Sequence, residues 1–173
     1  MRLFVANGKG TEPQAENSLL LAVKEHRAKE ENNYVPVELH QPLPRLQLTE
    51  INGKAISLEN RRRPLVVDLW ATWCEACALE MPSLLAFQKS HPEVDVLVVD
   101  VADSPEAVTH FLTSKKLTGL HVALTKAFPE GLAQNYPTTF IVSQKHEVAF
   151  LHESLPNDIA AELGADLAAL NPR

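Results

Sequence analysis

Two cysteines carry all the thiol chemistry available to this chain of 173 residues, and they stand three apart in Cys74-Glu75-Ala76-Cys77. Residues three apart share a helix face, close enough for their sulfurs to close a disulfide. Just upstream, Pro64-Leu65-Val66-Val67-Asp68-Leu69-Trp70 is a nearly continuous apolar run with one acid inside it. That is the pattern of a strand covered on both faces. The cysteines therefore fall where a buried strand ends and a helix begins. A helix N-terminus carries unpaired N–H groups and roughly half a positive charge, and both favour a thiolate over a thiol. The spacing makes Cys74 the first helical residue, exposed, with a pKa below the free value of about 8.5. Cys77 lies deeper and is less reactive. One exposed thiolate with a buried partner suits exchange, in which the first sulfur attacks a substrate disulfide and the second resolves the mixed disulfide.

Other uses of the pair fit less well. A structural zinc site needs four ligands, and the seven histidines are scattered at 26, 40, 91, 110, 121, 146 and 152. A copper carrier using both cysteines and a distant histidine, with His121 as the third ligand, stands as the rival from a different functional class. A peroxidatic cysteine sits in a Thr-x-x-Cys frame, whereas Thr72 is only two residues before Cys74. With two cysteines in all, a disulfide-stapled scaffold is excluded. A formal charge of -6 offers no basic field for phosphates, which argues against a nucleic-acid partner. No apolar run approaches the roughly 20 residues of a membrane span. The opening Met1-Arg2-Leu3-Phe4-Val5-Ala6 falls short of the apolar core of about 7 to 15 residues that a secretory signal needs. Taken literally, that opening predicts a cytoplasmic protein.

The elements that must position the cysteines follow from local pattern. Residues 1–14 form a polar arm, 15–31 a helix packed by Leu19, Ala22, Val23 and His26, and 32–45 an extended linker holding Pro36, Pro42 and Pro44. The domain boundary is set at residues 42/43. Leu46–Thr49 and Ala55–Leu58 flank Asn52-Gly53, a hairpin whose two central residues tolerate positive φ. Arg61-Arg62-Arg63 reads as a solvated turn before the buried strand. A helix from Cys74 to about Ser90 turns Cys77, Met81, Leu84, Leu85 and Gln88 inward, interrupted and kinked at Pro82. Val94–Val101 is the next strand. Ser104-Pro105 caps a helix buried through Val108, Phe111 and Leu112. Leu120–Thr125 is a short strand, followed by a helical piece over 128–134. Thr139–Val142 and Val148–His152 pair across a turn at Lys145-His146-Glu147. Asn157–Leu170 is the final helix, with Ile159, Leu163, Leu167 and Leu170 inward. The order predicts an α/β fold: a central mixed sheet flanked by helices and covered on both faces.

Val67 through Cys77, Pro82 downstream, and Tyr136-Pro137-Thr138 before a strand together resemble the thioredoxin fold. The stretch Trp-Ala-Thr-Trp-Cys-x-x-Cys-x-x-Glu-x-Pro from Trp70 to Pro82, with the hairpin before it, is more similar to the bacterial thioredoxin-like reductases of the TlpA/ResA type. The resemblance covers about residues 43–170. It implies that Cys74 is the nucleophile, Cys77 the resolving thiol, and Cys74–Cys77 the redox-active disulfide. It implies a cis bond before Pro137, with the backbone of Tyr136 offered to an extended substrate chain and Trp73, Pro137 and Thr138 completing that surface. Asp68 matches the buried acid of thioredoxins, a base for the Cys77 proton. Glu80 matches an acidic position that tunes the thiols. Trp70 and Trp73 wall the disulfide from water. The turn at Lys145-His146-Glu147 departs from the usual Asp-Gly type.

The resemblance further implies a disulfide-containing protein substrate, a separate electron-donor protein, and a periplasmic or extracytoplasmic setting. No organic cofactor or metal is required, because the dithiol itself carries two electrons. Glu75, Asp68 and Glu80 place three acids near the thiols, and like charges disfavour the thiolate. The sequence therefore predicts a reductase-leaning couple, with thiol oxidase or isomerase activity on the same fold as the alternative.

Overall fold

The computed structural model describes residues 39–59, 61–127, 135–153 and 158–170. The arm, the helix expected over 15–31 and the helical piece expected over 128–134 lie outside the described residues. Seven strands form one sheet: β1 Gln47–Thr49, β2 Ala55–Ile56, β3 Leu65–Trp70, β4 Asp95–Asp100, β5 Val122–Ala127, β6 Thr138–Val142 and β7 Val148–Glu153. Three described helices accompany them: α1 Glu75–Ser90, α2 Pro105–Ser114 and α3 Ile159–Leu170. The spatial order is β2-β1-β5-β4-β3-β6-β7. Strands β3, β4 and β5 run parallel, while β6 and β7 run antiparallel on one side and β1 and β2 on the other. The sheet is mixed, as the alternation of elements predicts.

Strand β3 is central and every one of its residues is buried. Its alternate side chains divide the core in two. Val66 and Trp70 face the helices, joining Met81, Leu84 and Phe87 of α1, Val108 and Leu112 of α2, and Ile159, Leu163 and Leu167 of α3. Leu65, Val67 and Leu69 face the other way with Leu97, Val99 and Phe140, and Leu43, Leu46 and Leu58 pack against them. Both faces are thus covered. Each fully buried side chain of this size contributes about 1.5–3 kcal/mol. Trp70, wholly buried, lies against Phe111 of α2 with ring centroids 5.1 Å apart. It is a pillar of the core rather than a lid on the disulfide.

Several local expectations are corrected. Helix α1 runs through Pro82 without interruption, and Pro82 lies on its exposed side. The inward stripe is Cys77, Glu80, Met81, Leu84 and Phe87. Gln88 is half-buried and links α1 to the β5 approach, donating to the Gly119 carbonyl and accepting from the His121 N–H. In the first hairpin only Gly53 takes a positive φ, of 87°. Asn52 instead accepts the Lys54 N–H on its side chain, making a longer loop. Arg61 is no solvated turn residue, since it pairs with Asp95 at 2.8 Å. The stretch expected to be an extended linker ends against the sheet: His40 donates to Val148, Val148 to Gln41, and Leu43 to His146. The departure at Lys145-His146-Glu147 is accommodated by His146 itself, which takes φ 64°, a conformation more usual for glycine. The Ser104 cap and Pro105 behave as expected, with the Ser104 hydroxyl accepting the Ala107 N–H.

Candidate active site

The loop from β3 into α1 carries the cysteines. Cys74 and Cys77 are joined by a disulfide, with Cα atoms 5.3 Å apart. Cys74 is the N-cap of α1, not its first helical residue, and its sulfur accepts the Cys77 N–H at 3.1 Å. This is the service a serine or aspartate renders at other helix starts, performed here by sulfur. One orphan N–H and the positive helix end thus meet at the Cys74 sulfur. The contrast in exposure is smaller than expected. Cys74 is 6% exposed and Cys77 0%. The outer sulfur opens to solvent only at its edge, and the inner one not at all.

A second loop fixes this turn. Asp100, at the end of β4, accepts the N–H groups of Ala102 and Asp103 on Oδ1. The Asp103 carboxylate then accepts the Thr72 N–H at 2.7 Å, two residues before Cys74. Val101 N–H donates to the Trp70 carbonyl. The cysteine loop is therefore tied at both Trp70 and Thr72 to the chain leaving β4. Burial pushes the Asp100 carboxyl up to about 6, opposed by the two backbone N–H groups it accepts.

Beneath the disulfide lie two buried acids. Asp68, on β3, is fully buried, and Glu80, three residues after Cys77 on the same inward face of α1, is 3% exposed. Glu80 is thus no surface acid of the helix. Asp68 Oδ1 accepts the Thr139 hydroxyl at 2.9 Å. Apart from each other, Asp68 Oδ2 and both Glu80 oxygens have no hydrogen-bond partner among the described residues. The carboxyls are close enough for the charge of one to oppose ionisation of the other. Burial pushes Asp68 up to about 7, against the lowering effect of Thr139. Burial, then the charge of Asp68, push Glu80 up to about 9. This corrects the electrostatic expectation of three negative charges around the thiols. Near pH 7 Glu80 holds its proton and Asp68 is partly protonated.

The face over the disulfide is aromatic. Trp73 is 64% exposed and meets Tyr136 edge-on at 5.9 Å. The Tyr136–Pro137 peptide bond is cis, as the resemblance implies. Pro137 is buried. The Thr138 hydroxyl turns inward to donate to the Asn135 carbonyl at 2.6 Å, so its side chain is not part of the open surface. Cys74, Cys77, Asp68, Glu80, Trp73, Tyr136 and Pro137 are all brought to one end of the sheet. His121 is not. It is held by Gln88, fourteen residues past Cys74 along α1, which is ~20 Å at 1.5 Å per residue. A copper site shared by His121 and the two cysteines is incompatible with that separation.

Thr139, Asp100 and Asp103 were not singled out in the sequence. Thr139 stands directly across from Asp68 in the antiparallel β3–β6 pairing, a register no local pattern reveals. Asp100 and Asp103 carry a weak signal, since an acid ending a buried strand before Ser104-Pro105 suggests a side-chain-capped turn.

A Redoxin family model matches residues 38–162. Sporulation thiol-disulfide oxidoreductase A of Bacillus subtilis is 29% identical over 105 residues, 57% of this chain and 64% of that protein. Thiol-disulfide oxidoreductase ResA of the same organism is 29% identical over 114 residues, 61% of this chain and 62% of that protein. The matches thus span less than two thirds of these two curated relatives. Among solved structures, StoA from Bacillus subtilis superposes with a TM-score of 0.59 at 23% identity, over 72% of this chain and 98% of that one. A thioredoxin-family thiol:disulfide interchange protein from Chlorobium tepidum gives 0.62 at 19% identity, over 79% and 99%. The likeness in structure establishes the thioredoxin fold, and the residues matched by the family model place this chain in the Redoxin family.

Proposed function

We propose that this protein is a protein-disulfide oxidoreductase, working by dithiol–disulfide exchange at Cys74 and Cys77 and leaning towards reduction. The observation that carries this reading is the Cys74 sulfur at the tip of α1, accepting the Cys77 N–H and bonded to the buried Cys77 sulfur. In the reduced protein the Cys74 thiolate attacks a substrate disulfide. One substrate sulfur leaves as thiolate, and the other becomes bonded to Cys74. The Cys77 proton passes to Asp68, the Cys77 sulfur attacks Cys74, and the second substrate thiolate leaves. The substrate gains two electrons and the protein is left as the disulfide. Because Cys77 is out of contact with water, the base that takes its proton has to be internal. Glu80 sits beside it and keeps a second proton in the site.

Trp73 and Tyr136 supply an apolar platform for an extended segment of the substrate protein, whose backbone pairs with that of Tyr136. No further redox group is needed, since the dithiol carries both electrons. The protein is recharged by an electron-donor protein. The reductase lean is supported by the modest help the Cys74 thiolate receives. One N–H and a helix end stabilise it, with no cation or histidine between the cysteines. Strong oxidants owe their power to a heavily stabilised reduced form.

Equilibration with glutathione, followed by acid quenching and alkylation, measures the potential. We expect a value well below about −180 mV, together with catalysed reduction of insulin disulfides. A potential above that figure, with no insulin reduction, would assign the protein to thiol oxidation or isomerisation instead.

A further inference from the structure

We propose that Thr139 is a positioning residue of the exchange site. Its hydroxyl, donating to Asp68 Oδ1, decides which of the two buried carboxyls ionises first and so makes Asp68 the acceptor of the Cys77 proton. The inference rests on the exchange reading above and adds to it a residue that selects between two acids.

The geometry is one-sided. Asp68 and Glu80 are both buried; an ionised carboxylate can only accept, and a protonated one also carries an O–H donor. Among the described residues the one donor from outside the pair, the Thr139 hydroxyl, is given to Asp68 at 2.9 Å; Glu80 has no such donor and faces only the Asp68 carboxyl, to which it donates when protonated. Thr139 is itself 2% exposed, so water does not compete for that hydroxyl. A hydrogen bond to the charged form favours the charged form. Two carboxyls that oppose each other's ionisation share one proton over a wide pH range, and the donor determines where that proton rests. It rests on Glu80, and Asp68 is free to accept. Burial pushes both acids up, Glu80 further, to about 9 against about 7, in keeping with this order.

The strand register explains why Thr139 can do this. It pairs directly with Asp68 across β3 and β6, so both side chains leave the same face of the sheet. It also follows Pro137 by two residues, so one short segment carries the substrate-facing turn and the donor to the base. The other groups facing this face are few among the described residues. On β4 the neighbour of Asp68 is apolar Val98, with Asp100 two residues on. On α1 there are Cys77 and Glu80. On β7 His152 stands across from Thr139, its ring nitrogens engaged by Asp166 at 2.6 Å and Glu162 at 3.3 Å from α3.

The test uses the full chain, reduced, with 5,5′-dithiobis(2-nitrobenzoate) as the substrate disulfide. Attack by Cys74 releases one thionitrobenzoate and leaves the other bonded to Cys74. Attack by Cys77 then releases the second. Stopped-flow rates of the second release, recorded against pH, report the acceptor of the Cys77 proton. In Thr139→Val the rise of that profile moves up by about one pH unit, with an approximately tenfold slower second release at pH 6, while the first release is unchanged. Thr139→Ser restores the wild-type profile. Thr139→Ala gives the same shift as Thr139→Val should the bulkier variant fold poorly. Superimposable profiles for wild type and either hydroxyl-free variant overturn the inference, as does a Thr139→Ser profile displaced like theirs. If the wild-type protein gives no second release at all, it is the exchange reading that fails.

Discussion

Two pairs of acids surround the cysteine loop, all buried but the half-buried Asp103, and they are treated in opposite ways. At the end of β4, Asp100 accepts two backbone N–H groups and Asp103 accepts a third from Thr72. Under the disulfide, Asp68 receives one hydroxyl, and Glu80 receives no donor from outside the pair among the described residues. Both arrangements carry the cost of desolvation. In the first, backbone donors offset part of it, although Asp100 Oδ2 has no partner among the described residues and the Asp100 carboxyl is still pushed up to about 6, and the two acids act as fixed tethers for the turn that holds Cys74. In the second, donors are withheld, so the cheapest state of each acid is the protonated one and the pair is poised to exchange protons near neutrality. Acids given several backbone donors build the loop, and the pair given one hydroxyl between them handles protons.

The largest effect that separates the two pairs is kinetic. Replacing Asp68 by Asn should slow the release of substrate from Cys74 by about 10²-fold at pH 7, the low end of what a positioned base contributes. Single-turnover measurement with a peptide mixed disulfide reads this directly. Asp100→Asn, which keeps an acceptor oxygen, should leave that rate within a few-fold. Equal losses in the two variants would erase the distinction drawn here.

Stability against pH gives the next contrast. Asp68 and Glu80 have folded pKa values above their unfolded ones, so the native state holds protons that the unfolded chain releases. Their contribution is fully present below about pH 4 and is lost as pH rises through about 7 and then about 9. The oxidised protein should therefore have a lower urea midpoint at pH 9 than at pH 5. In Asp68→Asn/Glu80→Gln most of that slope should vanish, with a gain in stability above pH 7. A double variant retaining the wild-type slope would show that the proton-holding groups lie elsewhere.

The tethers predict smaller losses. Asp103→Ala leaves the Thr72 N–H without its acceptor and should cost about 1–3 kcal/mol in thermal or urea unfolding, without moving the pH profile of exchange. Smallest of all, Arg61→Gln breaks the half-buried ion pair with Asp95 at the opposite end of β3, where about 0.2–1 kcal/mol is expected and no change in redox potential.

Much of this was legible in the amino-acid order. Strand β3, the helix opening at the cysteines, the Ser104 cap and the cis bond at Pro137 all rest on local signals: a continuous apolar run, a Cys-x-x-Cys spacing, a Ser-Pro start, and a motif shared with a family. What escaped is what depends on partners far along the chain. Thr139 acquires its role from a residue 71 positions away, and Asp103 meets Thr72 across 31. The depth of Glu80 is not legible, because a single helix face does not say how deeply its neighbours bury it. The shared charge of Asp68 and Glu80 was overcounted for the same reason, since only depth reveals that an acid keeps its proton. The helix passes Pro82 to Ser90, because a proline on the solvent side of a helix removes one hydrogen bond without ending the element.

The central claim, that Cys74 attacks and Cys77 resolves, is tested most directly by trapping. Cys77→Ser, reduced and mixed with a disulfide-bonded protein such as insulin, should accumulate a mixed disulfide through Cys74, identified by mass spectrometry of the linked peptides. Cys74→Ser under the same conditions should accumulate little or none. An adduct formed as readily through Cys77 as through Cys74, or no adduct with either variant, would contradict the account.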